Sequence, residues 1–387
     1  MTPAPPLPPP RRRPGRWLKP LGWIALLAPV ALLALRESLF RGPLRTRSPL
    51  SDERIVDLHC HVAGIGAGNS GCRVSPALRH NVRFRIYLDA FGVTAEELER
   101  EGDQLLVSRL SRDVAASHHL SAAVILALDG VVDSRGHLDT NRTEVYIPNS
   151  FVAEAAGRHT NLLFGASVHP RRTNALEQLD SCAAQGAVLV KWIPSIMDID
   201  PADPRFLPFY QKLKQLRLPL LTHTGSERSF TSAQDDLADP ERLRLPLSEG
   251  VTVIAAHAAL ERRHDGTRDF DRLRMLMREF PNLYADLSSL TQINKPGALR
   301  DALADPICRT RLIYGSDFPL INTPLVSPWY FPLNLTRSEM SRIAAVTNAW
   351  DRDIALKQSL GAPPDVFVRA PTVIRRPRPA PNVRPTF

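Results

Sequence analysis

The sequence predicts an α/β protein, a (β/α)8 TIM barrel preceded by a single N-terminal membrane-anchor or signal helix. Three observations predict it. Short apolar runs alternate with amphipathic stretches along most of the chain, polar residues of metal-binding type end several of those runs, and a long uncharged run stands near the start.

Residues 1–40 read as a basic leader followed by a hydrophobic anchor or signal segment. Arg11, Arg12, Arg13, Arg16 and Lys19 precede residues 20–35 (PLGWIALLAPVALLAL), which carry no charge. The run is slightly short of the ~20 residues that cross a bilayer squarely, and Trp17 and Trp23 are placed to extend it. A cleavable signal calls for small residues after the apolar run; Leu35, Arg36 and Glu37 stand there instead, which favours an uncleaved anchor. The expectation is a membrane-anchored protein whose folded domain lies in the periplasm or outside the cell, with secretion after cleavage as the alternative. Residues 41–53 form a polar linker, 54–361 the barrel, and 362–387 a Pro/Arg-rich tail expected to be disordered.

The net charge of +9 belongs to the ends: residues 1–54 carry +7 and 362–387 carry +4, which leaves −2 for the middle. A nucleic-acid protein concentrates its positive charge on the folded surface that grips phosphate, so this balance argues against that class of partner. Cys60, Cys72, Cys182 and Cys308 are scattered with no CxxC pair. That spacing excludes a structural zinc knuckle and leaves buried free thiols as the expectation.

Between the ends the apolar runs are 55–58, 123–128, 162–168, 187–192, 218–222, 251–256, 283–287 and 312–314. They are β-branched or Leu-rich and nearly continuous in hydrophobicity, as strands covered on both faces must be. Helical stretches lie between them, at 175–185, 205–217, 269–280 and 336–348. Eight strand-then-helix units is the number that closes a parallel barrel. An open doubly wound sheet usually needs a Gly-rich phosphate turn after its first strand. Gly64-Ile65-Gly66-Ala67-Gly68 opens no clear helix and reads as a flexible loop. Residues 62–112 are long for a first connection and are expected to form a flap over the barrel mouth.

The strand ends carry the chemistry. His59 and His61 are two apart on strand one and share a face, with Cys60 opposite. Lys191 ends strand four (VLVKWIP), His223 strand five (LLTHTG), His257 strand six (VIAAHAAL) and Asp317 strand eight (LIYGSDFP). Each falls at the C-terminal rim, where barrel enzymes keep their active sites. Buried singly they would each cost several kcal/mol, whereas convergence on a divalent cation satisfies them together.

This ordered set resembles the amidohydrolase superfamily, most closely its amidohydrolase-related branch, over residues 55–361. The resemblance implies a metal-dependent hydrolase that holds one or two ions, usually Zn2+, through His59, His61, His223 and Asp317. It implies that His257 either contacts a second metal or polarises the substrate, and that Lys191 occupies the place of a lysine that can become a metal-bridging carbamate. Asp317 and His257 are then the catalytic pair: the metal acidifies a water that attacks a carbonyl, Asp317 takes its proton, and His257 stabilises the carbonyl oxygen. The expected substrate is a small ester, lactone or amide.

His169, Asp286 and, more weakly, Asp129 also end strands and are expected to touch the ligands or the substrate. Trp192 either lines the pocket or packs in the core, and His118, His119 and His264 are expected in solvent. The same branch contains nonoxidative decarboxylases, which makes that reaction the alternative, with Arg73, Arg79, Arg83 and Arg85 of the flap as candidates to seat a carboxylate. A third class, a noncatalytic anchored binding protein, would be expected to have lost ligands.

Overall fold

The computed structural model describes residues 55–260 and 262–375, together with Leu27. Apart from Leu27, the expected anchor, the linker and the last twelve residues lie outside the described residues. Among the described residues no helix is long and apolar enough to cross a membrane.

Eight parallel strands form one sheet in sequence order: β1 Ile55–His61, β2 Leu120–Leu126, β3 Leu162–Ala166, β4 Leu189–Trp192, β5 Leu220–His223, β6 Val253–Ala256, β7 Leu283–Asp286 and β8 Leu312–Ile313. The sheet closes on itself. Leu58 N donates to Tyr314 O (3.3 Å), Asp317 N to His59 O (2.8 Å) and His61 N to Phe318 O (2.9 Å). This closure gives the (β/α)8 barrel over an open doubly wound sheet, and all eight strands fall on the apolar runs read from the sequence. Val56, Leu58, Val124, Leu126, Leu189, Leu221, Ile254 and Ile313 pack together as an inner cluster drawn from six strands. The larger core lies between the strands and the helices outside them.

One irregularity in β1 positions the site. Its pairing with β2 shifts register between Asp57 and Cys60. Val56 and Leu58 belong to the inner cluster, yet Cys60 packs in the outer core. A bulge adds one residue to a strand and reverses the phase of its side chains. His59 and His61 thereby join the inward face above Leu58, where strict alternation from Leu58 would have pointed them into the helical layer.

The connection after β1 is a folded flap. Helices Pro76–Arg79, Val82–Ala90 and Ala95–Glu101 precede the first outer helix, Gln104–Ala115. The glycine stretch is not the flexible loop expected of it. The buried Asp103 carboxylate accepts from Ile65 N and Gly66 N (2.9 Å each), and a Cβ on Gly64 would lie 2.6 Å from Asp103 Oδ2.

The C-terminal boundary also differs from expectation. Residues expected in the disordered tail form helices Pro364–Val368 and Ala370–Val373. Val366, Phe367, Ala370 and Ile374 are buried, and Ala370 and Ile374 join the inner cluster of the barrel. The preceding helix, Ala349–Ser359, is capped by Asn348 and ties itself to β1, since Trp350 Nε1 donates to Asp57 Oδ2 (2.8 Å). Asp57 Oδ1 accepts from His59 N (3.0 Å) and Ser316 N (2.9 Å), so one buried carboxylate fixes the two backbone segments that carry His59 and Asp317.

Candidate metal centre

Four strand ends bring imidazole, carboxylate and amine groups to one point at the C-terminal rim. His59 Nε2 lies 3.2 Å from His61 Nε2 and 3.0 Å from Lys191 Nζ. Asp317 Oδ1 lies 3.2 Å from His61 Nε2 and 3.6 Å from His59 Nε2. His59, His61 and Asp317 offer ligand atoms within 4.8 Å of one another, and His59, His257 and Asp286 form a second such group. His223 completes neither, although its ring centroid is 4.9 Å from that of His257. Of the six residues expected at the site, five therefore meet closely, and His223 stands at its edge.

The hydrogen bonds around the histidines decide which nitrogen each presents. His59 Nδ1 lies 2.8 Å from Asp286 Oδ2, so it carries the proton and Nε2 keeps a lone pair. Asp286 Oδ1 accepts from His257 N (2.9 Å) and from the Ser288 hydroxyl. Because the Ser288 proton is spent on Asp286, its 2.8 Å contact with His257 Nδ1 requires the histidine to donate. His257 in its neutral form thus also presents a lone pair at Nε2. The sequence placed Asp286 in contact with the ligands or the substrate; it contacts the ligands, as the carboxylate that sets His59 directly and His257 through Ser288. Ser288 was missed, and a lone serine two residues past a strand-end aspartate carries no signal of its own.

Asp317 is fixed as firmly. Ser289 Oγ donates to Asp317 Oδ2 and in turn accepts from Gln292 Nε2 (2.7 Å), which leaves Asp317 Oδ1 toward the histidines. The backbone here is unusual. His257, Ala258, Ala259, Ser289 and Asp317 have φ between 48° and 61°. Non-glycine residues held in the left-handed region cost of order 1–3 kcal/mol each, and such strain gathers at functional sites.

The charge states suit a cation. Burial, reinforced by the Lys191 charge, lowers the His59 pKa, and burial pushes His257 well below the ordinary histidine value. Burial opposes ionisation of Asp317, but His257, His61 and His59 outweigh it and hold the carboxyl well below the usual carboxylate range. Burial takes the Lys191 ammonium down to about 8. Neutral imidazoles with inward lone pairs beside an ionised carboxylate are a donor set that fits a divalent metal ion. Lys191 points its amine at the lone pair of His59, and its lowered pKa brings the neutral form within reach near neutrality.

The group opens on a cavity of about 190 Å3. The flap supplies much of its wall, with Leu78, Phe84, Tyr87 and Phe91 facing inward. Arg73, Arg79, Arg83 and Arg85 do not line it; Arg79 and Arg83 donate instead to Ile65 O and Phe230 O. The cations that do line it are Lys191, Arg228 and Lys295.

Other expected contacts lie elsewhere. Asp129 is held by Arg172 and accepts from His169 N (2.9 Å), while His169 Nε2 donates to Met197 O (2.9 Å), so both brace loops outside the cavity. Trp192 packs on Phe209 and Tyr210 and donates to Val168 O (2.8 Å), which settles it as a core residue. His264, expected in solvent, is mostly buried with Nδ1 2.6 Å from Asp269 Oδ1.

A family model described as Amidohydrolase matches residues 56–345. Among curated proteins no match is found. Similar solved structures include an uncharacterised TIM-barrel protein from Bordetella bronchiseptica, 16% identical, covering 79% of this chain and 99% of its own at a TM-score of 0.49. A dihydroxybenzoic acid decarboxylase from Polaromonas sp. JS666, with bound manganese and an inhibitor, is 14% identical and covers 82% of this chain and 97% of its own at 0.42. A 5-carboxyvanillate decarboxylase from Sphingomonas paucimobilis is 12% identical and covers 82% and 99% at 0.41. At these scores the likenesses say nothing about the reaction.

Proposed function

Because the chain belongs to the amidohydrolase family, we propose that it is a metal-dependent hydrolase of a small ester, lactone or amide. His59, His61, His223 and Asp317 would hold zinc or another divalent cation, and Lys191 and His257 would be the residues to serve a second ion. The observation that carries this reading is the meeting of Asp317 Oδ1 with His61 Nε2 (3.2 Å) and His59 Nε2 (3.6 Å) beside one cavity, with the protons of His59 and His257 held on Nδ1.

A cation bound there would acidify a water and polarise a carbonyl. Asp317 accepts a proton at Oδ1, the oxygen not engaged by Ser289. His257, with its proton fixed on Nδ1, has a lone pair rather than an N–H at Nε2. That favours a role as ligand or proton acceptor over stabilisation of an oxyanion. The flap wall selects a compact, largely apolar body beside the carbonyl.

One observation favours a second reading, nonoxidative decarboxylation: Arg228 and Lys295 line the cavity and could seat a carboxylate. An activity screen separates the two. The metal-loaded chain is expected to hydrolyse members of an ester, lactone and amide panel, to lose that activity on chelation and to regain it with metal. Asp317→Asn is expected to keep much of its metal and lose about 10²–10⁴-fold in rate. Metal-dependent CO2 release without hydrolysis would select the second reading, and near-full hydrolysis by Asp317→Asn would remove Asp317 as the base.

A further inference from the structure

His223 is the expected ligand that stands apart from both close groups, so its ring orientation is what completes the centre or leaves it open. We propose that Glu227, four residues later in the turn after β5, is the positioning residue that aims it. The proposal rests on the reading of the histidine group as a divalent-cation site.

Glu227 Oε2 lies 3.5 Å from His223 Nδ1, and both side chains are only 7% exposed. A carboxylate on the Nδ1 side keeps the proton there and turns Nε2 toward the opposite edge of the ring. Asp286 does this for His59 across the barrel. A carboxylate behind a ligand histidine is the arrangement that fixes tautomer and ring plane at metal sites. The other oxygen is also committed, since Glu227 Oε1 accepts from Ser229 N (2.7 Å). With both oxygens turned to protein groups, Glu227 lines the cavity as a brace and not as an acid offered to substrate. Among the described residues no lysine or arginine lies within ion-pair distance of it, and the ring of His223 is the basic side chain it approaches, at 3.5 Å.

The turn that carries Glu227 is itself held from several sides. Glu227 N donates to Asp235 Oδ1 (3.0 Å). Thr231 N and Ser232 N donate to Glu144 (3.0 Å each). Arg83 of the flap donates to Phe230 O (3.3 Å), and the side chain of Tyr87 meets that of Ser229. Glu227 thus joins a ligand histidine to the turn on which the flap rests. A sequence reader sees only a glutamate in a polar loop; its register four residues past the histidine is the one available signal.

The test uses the full chain with cobalt(II) as probe, titrated against a chromophoric chelator, in wild type, Glu227→Ala and Glu227→Gln. Glu227→Ala is expected to bind cobalt about 10–100-fold more weakly and to change the cobalt absorption spectrum, because the coordination of His223 changes. Glu227→Gln keeps one carbonyl oxygen for Nδ1 and is expected to lose less. Imidazole 15N spectra of the metal-free chains supply a readout independent of binding: His223 should be protonated at Nδ1 in wild type and should lose that preference in Glu227→Ala. If Glu227→Ala does not fold, the Gln variant carries both measurements. A wild-type chain that takes up no cobalt overturns the metal reading, and the proposal with it. Cobalt affinity and spectrum in the variants equal to those of a cobalt-binding wild type overturn the role of Glu227 alone.

Discussion

His169 shows how a single residue can be seen in the sequence and misjudged from it. It follows a strand of the same sheet as the candidate metal ligands, and its letter is the same as theirs. The structure turns it away from the cavity, with Nε2 donating to Met197 O and Nδ1 accepting from Arg171 N. Burial lowers its pKa to about 4, against ~6.5 for an unfolded histidine. A histidine with a lowered folded pKa stabilises the fold above its unfolded value, and the contribution is lost as pH falls, because the unfolded chain then binds the extra proton. For His169 the loss runs from about pH 6.5 and reaches about 3 kcal/mol by pH 4. His59 and His257 add losses of the same sign in the metal-free chain. Denaturant unfolding between pH 7 and 4 is expected to show this decline, and His169→Gln, which can satisfy both bonds without titrating, is expected to decline less. Parallel pH profiles for the two chains would contradict the assignment.

At the scale of elements, strands were the most legible. Each is a short, nearly continuous apolar run, and eight of them leave little choice of architecture. What resisted reading was every element whose partners lie far away in sequence. The bulge in β1 has no local mark, yet it is what puts His59 and Leu58 on the same face. Helix Ala349–Ser359 carries Asp353 and Lys357 at a spacing that reads as a solvated face, but both are buried, paired at 2.8 Å, and bonded to Tyr314 OH and Gly315 O. Helices Pro364–Val368 and Ala370–Val373 lie among prolines and arginines that suggest disorder, and only the underside of the barrel shows why they fold. Burial of Val366, Phe367 and Ile374 contributes roughly 4.5–9 kcal/mol at about 1.5–3 kcal/mol each, comparable with the whole stability of many domains. Truncation after Gly361 is therefore expected to abolish cooperative thermal unfolding or lower Tm by more than about 10 °C. A cut after Arg375, which keeps every one of these contacts, serves as the control, and equal Tm values for the two truncations would remove the segment from the fold.

For the molecule as a whole, the barrel turns scattered letters into one centre. The pair His59 and His61, Lys191, His257 and Asp317 come from distant parts of the chain and meet because each stands at the C-terminal end of a strand of the same closed sheet. Which residues end the strands could be read from the sequence, since polar groups after apolar runs are conspicuous. Of what holds them, only Asp286 stood at a strand end where it could be read; Asp57, Ser288, Ser289 and Glu227 act through contacts that only closure creates. This closure, we propose, builds a site for a divalent metal ion. Elemental analysis of the purified full chain, beside the His59→Ala/His61→Ala double variant, tests it most directly. At least one bound divalent ion per wild-type chain is expected, with near-complete loss in a double variant whose circular dichroism is unchanged. Equal metal content in the two chains, or none in a wild-type chain offered zinc, manganese and cobalt, would contradict it.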